Sequence, residues 1–178
     1  MTGDEAQDAL RRLHAEVDRA AGAVADRHRG RLQCGRGCAA CCVDELTVYE
    51  VEAERIRRAH GALLEAGAPH APGACAFLGA ENECRVYPDR PYVCRTQGLP
   101  LRWLTELGED HERGEGGEIV EARDICPLNL AGPPLEGLPE DACWLLGPVE
   151  ERLAALQHGL DGGAGRRVAL RRLFRRPA

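Results

Sequence analysis

Nine cysteines in a chain of 178 residues are the first feature that calls for chemistry. Four stand together as Cys34-x3-Cys38-x2-Cys41-Cys42; Cys75, Cys84, Cys94, Cys126 and Cys143 follow singly. A thiolate is a strong donor to zinc and iron, and donors three or four residues apart in a turning loop can face one point. Gly35 and Gly37 lie between the first two cysteines, where positive φ would let backbone N–H groups turn toward sulfur. Cys126-Pro127 is the Cys-Pro step found at many cluster ligands. Cys41 and Cys42 are adjacent: their side chains point to opposite faces of an extended segment or diverge by about 100° on a helix. They are therefore expected to serve different centres, or only one of them is a ligand. The candidate ligands are Cys34, Cys38, Cys41, Cys42, Cys75, Cys84, Cys94 and Cys126. Eight thiolates satisfy two tetrahedral zinc sites, or equally one four-iron cluster (4Fe-4S) plus a further site; spacing alone does not decide between zinc and iron.

Simpler readings of the same residues carry less. A disulfide framework is disfavoured by an odd count, by a cysteine content below that of small secreted scaffolds, and by the lack of a visible export signal. Purely structural zinc that pins loops stands level with a functional centre. The Cys34-x3-Cys38-x2-Cys41 spacing is that of radical-SAM enzymes, but the chain is short for them and lacks their alternating strands and helices. The histidines, His14, His28, His60, His70, His111 and His158, fall at no ligand spacing within the cysteine group and are expected mostly exposed on helices or loops. Arg36, Arg85, Arg90 and Arg95 could offset clustered thiolate charge, Asp44 and Glu45 read as a solvated turn, and Cys143 reads as a buried apolar thiol. No phosphate loop, H-E-x-x-H or G-x-S-x-G motif is present.

Composition narrows the class. Net charge is −6, aromatics are 4%, and all 23 basic residues are Arg. An acidic chain with few rings is not expected to bind nucleic acid, and the absence of Lys removes Schiff-base chemistry. The first eighteen residues are charged and no stretch approaches the roughly 20 apolar residues needed to span a bilayer. These features predict a cytoplasmic protein without membrane association, in a compartment where thiols stay reduced.

The elements that must position the cysteines can be read from periodicity. Leu10, Leu13, Val17, Ala21 and Val24 predict an amphipathic helix from Asp4 to Arg29, stopped at Gly30. Thr47 and Glu50 form a capping-box pattern for a helix from about Val48 to Ala66. Ala74 to Leu78 and Glu83 to Tyr87 read as a hairpin closed by Gly79-Ala80-Glu81-Asn82, and Asp89 as the cap of a short helix running toward Cys94. A second hairpin pairs Leu101 to Leu107 with Ile119 to Arg123 across a polar connection, Gly108 to Gly117. Leu128 to Pro139 is a Pro/Gly-rich loop, and Asp141 or Pro148 begins a helix carrying Val149, Leu153, Leu156 and Leu160. The basic tail from Arg166 to Arg176 reads as a helix packing Val168, Leu170, Leu173 and Phe174 on the domain. The predicted architecture is a single small α+β domain, helices flanking a cysteine-rich unit with short β-hairpins. Its parts are an N-terminal helix (1–30), a cysteine-cluster core (31–130) and a C-terminal helical segment (131–178).

The ordered run of Cys34-x3-Cys38-x2-Cys41-Cys42, Cys75-Ala-Phe-Leu, Cys84-Arg-Val-Tyr, Arg90-Pro91-Tyr-Val-Cys94-Arg95 and Cys126 resembles the YkgJ-type cysteine-cluster family. The resemblance covers roughly residues 34 to 126. It implies a zinc- or iron-chelating domain and supports chelation more than any reaction. Flagellin lysine methylases carry a similar cluster motif but need a longer chain. The expected role is thus a metal chelator, carrier or maturation accessory with a metal ion and a protein as partners. The alternative is an iron–sulfur redox protein or enzyme subunit.

Overall fold

The structure, a computed structural model, describes residues 1–107 and 118–174. The Gly108 to Gly117 connection and the last arginines of the tail lie outside the described residues. The first helix, α1 (Gly3–Arg27), starts with a capping box: Thr2 N–H donates to Glu5 Oε2 (2.7 Å) and Glu5 N–H to Thr2 Oγ1 (3.3 Å). Its apolar stripe, Ala6 through Val24, is buried as the spacing predicts.

After the first cysteine loop comes a short strand, β1 (Thr47–Tyr49), which leads directly into α2 (Glu50–Ala66). The predicted capping box at Thr47 does not form. Thr47 is a strand residue opposite Ala169, and α2 starts from Tyr49 with no side-chain cap. Tertiary pairing overrides the local signal here because Val48 is 1% exposed and sits against the second core. The tail shows why. Arg167–Ala169 forms β5, antiparallel to β1, followed by a 3-10 turn over Leu170–Leu173 rather than the predicted helix. Val168, Leu170, Leu173 and Phe174 do pack on the domain, with the Phe77 and Phe174 rings 5.1 Å apart.

The predicted hairpin around Gly79 reduces to one bridge between Leu78 and Cys84. Ala76, Phe77 and Leu78 are buried in succession, so this segment has no solvent face to alternate with and enters the core as a loop. A 3-10 turn (Tyr87–Asp89) and the short α3 (Tyr92–Arg95) follow. The second hairpin forms as expected: β2 (Leu101–Leu107) pairs antiparallel with β3 (Glu118–Asp124), and β4 (Trp144–Leu145) adds in parallel to β2. The last helix, α4 (Pro148–Asp161), begins with Pro at its first position and ends at Gly162 in the left-handed conformation (φ 67°). The result is a single α+β domain with, among the described residues, two small sheets.

Two cores hold it together. One joins α1 and α4 with Val51, Tyr92, Leu99 and Trp144; the other joins α2 with Ala76, Phe77, Val86 and the tail. Polar groups buried at the junction are tied down. Gln157 accepts from Val51 N–H (2.9 Å), and Glu52 accepts from Tyr92 N–H (2.7 Å), fixing the start of α3. Among the described residues no helix is long and apolar enough to cross a membrane.

Candidate metal centre

The first cysteine loop is shaped by short-range turns. Cys38 N–H donates to Gly35 O (3.1 Å) and Cys42 N–H to Ala39 O (2.9 Å). Gly37 adopts positive φ (87°) as its position suggested, whereas Gly35 does not. The loop is joined to the next cysteine segment by Cys75 N–H donating to Cys42 O (2.9 Å). Cys84 is set by the bridge to Leu78 and by Arg85 N–H donating to Phe77 O (3.0 Å). Cys94 projects from α3, and Cys126 stands at the start of a 3-10 turn over Pro127–Asn129.

Cys34, Cys38, Cys41, Cys42, Cys75, Cys84 and Cys94 line one open cavity of about 1030 Å³. Cys126 lines a neighbouring cleft of about 350 Å³, and Cys41 belongs to both. All nine cysteines are free thiols. Among the described residues no three Cys, His, Asp or Glu side chains already enclose a point. The sulfurs surround a space, and a cation would have to draw them inward.

Their mutual electrostatics link them. Burial pushes the Cys41 thiol up, and the charges it feels next are those of Cys38, Cys34 and Cys126. Burial pushes Cys42 up to about 12, with Cys41, Cys75 and Cys84 adding repulsion. Cys94 is also pushed up to about 12, by burial and then by Cys75 and Cys84 ahead of Cys41 and Cys42. Burial raises Cys84 too; Cys75 adds to the rise and Arg90 and Arg85 oppose it. Such neighbours disfavour several thiolates at once, which is the condition a bound cation relieves. Seven free thiols lining one cavity, with Cys126 in the adjoining cleft, fit a thiophilic metal in their donor chemistry.

Of the four arginines proposed to offset that charge, two bear on Cys84. Arg85 also donates to Ala68 O and Ala76 O, and Arg90 lies over the Tyr87 ring (4.0 Å). Arg95 is buried and committed to Asp18 (2.6 Å). Cys143 is buried and lines neither opening.

Two expectations are corrected. His14 and His28 are buried, not exposed. His14 Nε2 lies 3.4 Å from Glu52 Oε1, and His28 hydrogen-bonds with Ala142 O (2.7 Å). His14 sits on the buried side of α1 where it meets α2, His28 caps the end of α1 against Ala142, and neither lines the cavity. Asp44 is not a solvated turn residue: it accepts from Gly73 N–H (2.8 Å) and from Arg171 (2.8 Å). Arg171 also donates to the carbonyls of His70, Ala71 and Ala74, so the tail clamps the loops on either side of Cys42 and Cys75.

Sequence reasoning missed Asn129. Its side chain is fully buried; Oδ1 accepts from Gln33 N–H (2.8 Å), and Nδ2 donates to Gly98 O (2.8 Å) and faces Cys34 Sγ (3.4 Å). Gly98 is required at this contact, since it has φ 91° and a Cβ there would lie 2.3 Å from Cys34 Sγ. The available signal was an amide three residues beyond Cys126, in a loop otherwise read as connection.

A family model described as CxxCxxCC, a putative zinc- or iron-chelating domain, matches residues 33–127, just over half of the chain. No curated protein matches the chain, and neither does any solved structure.

Proposed function

The chain belongs to the CxxCxxCC family of zinc- or iron-chelating domains, and on that premise we propose that it is a cytoplasmic metal carrier or maturation accessory with no reaction of its own. The ligands in this reading are two sets of four thiolates. Cys34, Cys38, Cys41 and Cys126 form one, and Cys42, Cys75, Cys84 and Cys94 form the other. Zinc is the metal proposed, because four sulfurs at a tetrahedral site are its ordinary closed shell.

The observation that supports this reading best is where the two neighbours face: Cys41 also lines the cleft that holds Cys126, whereas Cys42 lines only the larger cavity and its carbonyl accepts from Cys75 N–H. The charges acting on the first are those of Cys38, Cys34 and Cys126; on the second, that of Cys41 and then those of Cys75 and Cys84. Neighbouring side chains that diverge cannot easily share one mononuclear ion. A reducing compartment would keep the thiols free for metal, and a carrier requires an acceptor protein.

The test is metal analysis of protein purified from its native host under anaerobic conditions. A colourless protein with about two zinc ions per chain is expected for two four-thiolate sites. Brown protein with iron and acid-labile sulfide would replace this reading with an iron–sulfur one.

A further inference from the structure

The two sets of cysteines differ in how they are built into the molecule. Cys75 and Cys84 pack against the second core, beside Phe77 and Val86. Cys94 is carried on α3 between Tyr92 and Arg95, both buried, and α3 is anchored through Tyr92 N–H to Glu52. Cys42 is hydrogen-bonded through its backbone to Cys75. None of these four is exposed. An ion held by them would join the first loop, the Leu78–Cys84 bridge and α3, so removing it would release segments that close the core.

The other set is mounted differently. Cys34 and Cys41 are exposed, and residues 33–37 are exposed in succession. No strand or α-helix carries any of the four, and unlike Cys75 and Cys84 none of them packs against a core cluster. What fixes Cys34 is the contact of its sulfur with Asn129 and Gly98. Cys41 faces both openings, so the ion's surroundings at that end are reached from solvent by two routes.

From this asymmetry, and resting on the two-centre reading above, we propose that the Cys34/Cys38/Cys41/Cys126 set is the exchangeable position from which metal is handed over. The Cys42/Cys75/Cys84/Cys94 set keeps a resident ion that stabilises the fold. The acceptor is a thiolate-bearing protein, which suits an exposed soft-ligand site. Exchange is a ligand substitution: an incoming thiolate bonds to the metal as the Cys34–metal bond breaks, the ion keeps its charge, and Cys34 leaves as a thiolate that takes a proton from water. No electron changes hands.

The experiment follows zinc release from the full chain into excess 4-(2-pyridylazo)resorcinol, with near-ultraviolet circular dichroism recorded in parallel. The expected result is two phases of about one equivalent each, as two four-thiolate sites require. The fast phase leaves the dichroism unchanged and the slow one runs together with its loss. Cys34→Ser and Cys41→Ser should abolish the fast phase and keep the melting temperature within a few degrees. Cys84→Ser should lower the melting temperature sharply even when one equivalent remains bound. A single phase carrying both ions, or a Cys34→Ser protein that loses both, would overturn the proposal while leaving two-zinc binding intact. A chain that binds no zinc would overturn the two-centre reading beneath it.

Discussion

At the scale of single residues, Cys34 shows how a sulfur is held in place without secondary structure. Asn129 ties three segments together at that sulfur: Oδ1 accepts from Gln33 N–H, and Nδ2 donates to the buried Gly98 C=O and faces Cys34 Sγ. Truncating it leaves Gln33 N–H and Gly98 C=O unpaired, a cost of about 1–3 kcal/mol by the usual penalty for orphaned buried groups. Asn129→Ala should therefore lower the urea midpoint and also weaken the more exposed zinc, read by competition with a chelator. The raised thiols give a second expectation. Cys42 and Cys94, at about 12, are neutral at pH 7 in the metal-free protein, so alkylation mass spectrometry should find them among the slowest cysteines to react. Because their folded values lie above the unfolded one, the stability they contribute is present below about pH 9 and is lost as pH climbs toward 12. Metal-free protein should thus become easier to unfold with urea across that range. The cysteines were legible in the sequence because their type and spacing carry the signal. Asn129 was not, because nothing in a Pro/Gly-rich loop says which amide will be buried.

At the scale of elements, legibility followed periodicity. The apolar stripe of α1 follows a period of 3.6 that the residues display openly, and the β2–β3 hairpin lies where its two segments were read. The failures share a cause: Thr47 and the Arg167–Ala169 segment satisfy local helix signals but pair with one another across 120 residues, and no local rule contains that partner. The same pairing brings Arg171 onto Asp44 and the carbonyls around Cys75. Arg171→Ala should lower the melting temperature by several degrees, since Asp44 and three carbonyls lose a shared donor. It should also loosen the ion at Cys42 and Cys75 more than the ion at Cys34, read as a change in the slow release phase alone. Equal loosening at both would show that the tail acts on the fold as a whole and not on those loops.

At the scale of the whole molecule, the cavity lies where the two cores meet. Ala21, Leu32 and Leu99 reach it from the first core's side, and Leu46, Cys75 and Cys84 from the second's. Metal bound there acts across the junction, so stripping it with a chelator should reduce the cooperativity of thermal unfolding as well as its midpoint. Calorimetry should then show a broader transition for the stripped protein than for the loaded one. The sequence implied a gathering of sulfurs and two centres parted at Cys41–Cys42, but not which distant cysteine joins which, because that depends on tertiary packing no local rule contains. The central claim is that eight thiolates hold two ions in two all-sulfur shells. Zinc-edge X-ray absorption on the loaded protein tests it most directly. The account predicts a shell of four sulfurs at about 2.3 Å per ion with no nitrogen or oxygen, in a protein whose zinc content falls by half in Cys41→Ser. A mixed shell, or zinc content that Cys41→Ser leaves untouched, would contradict it.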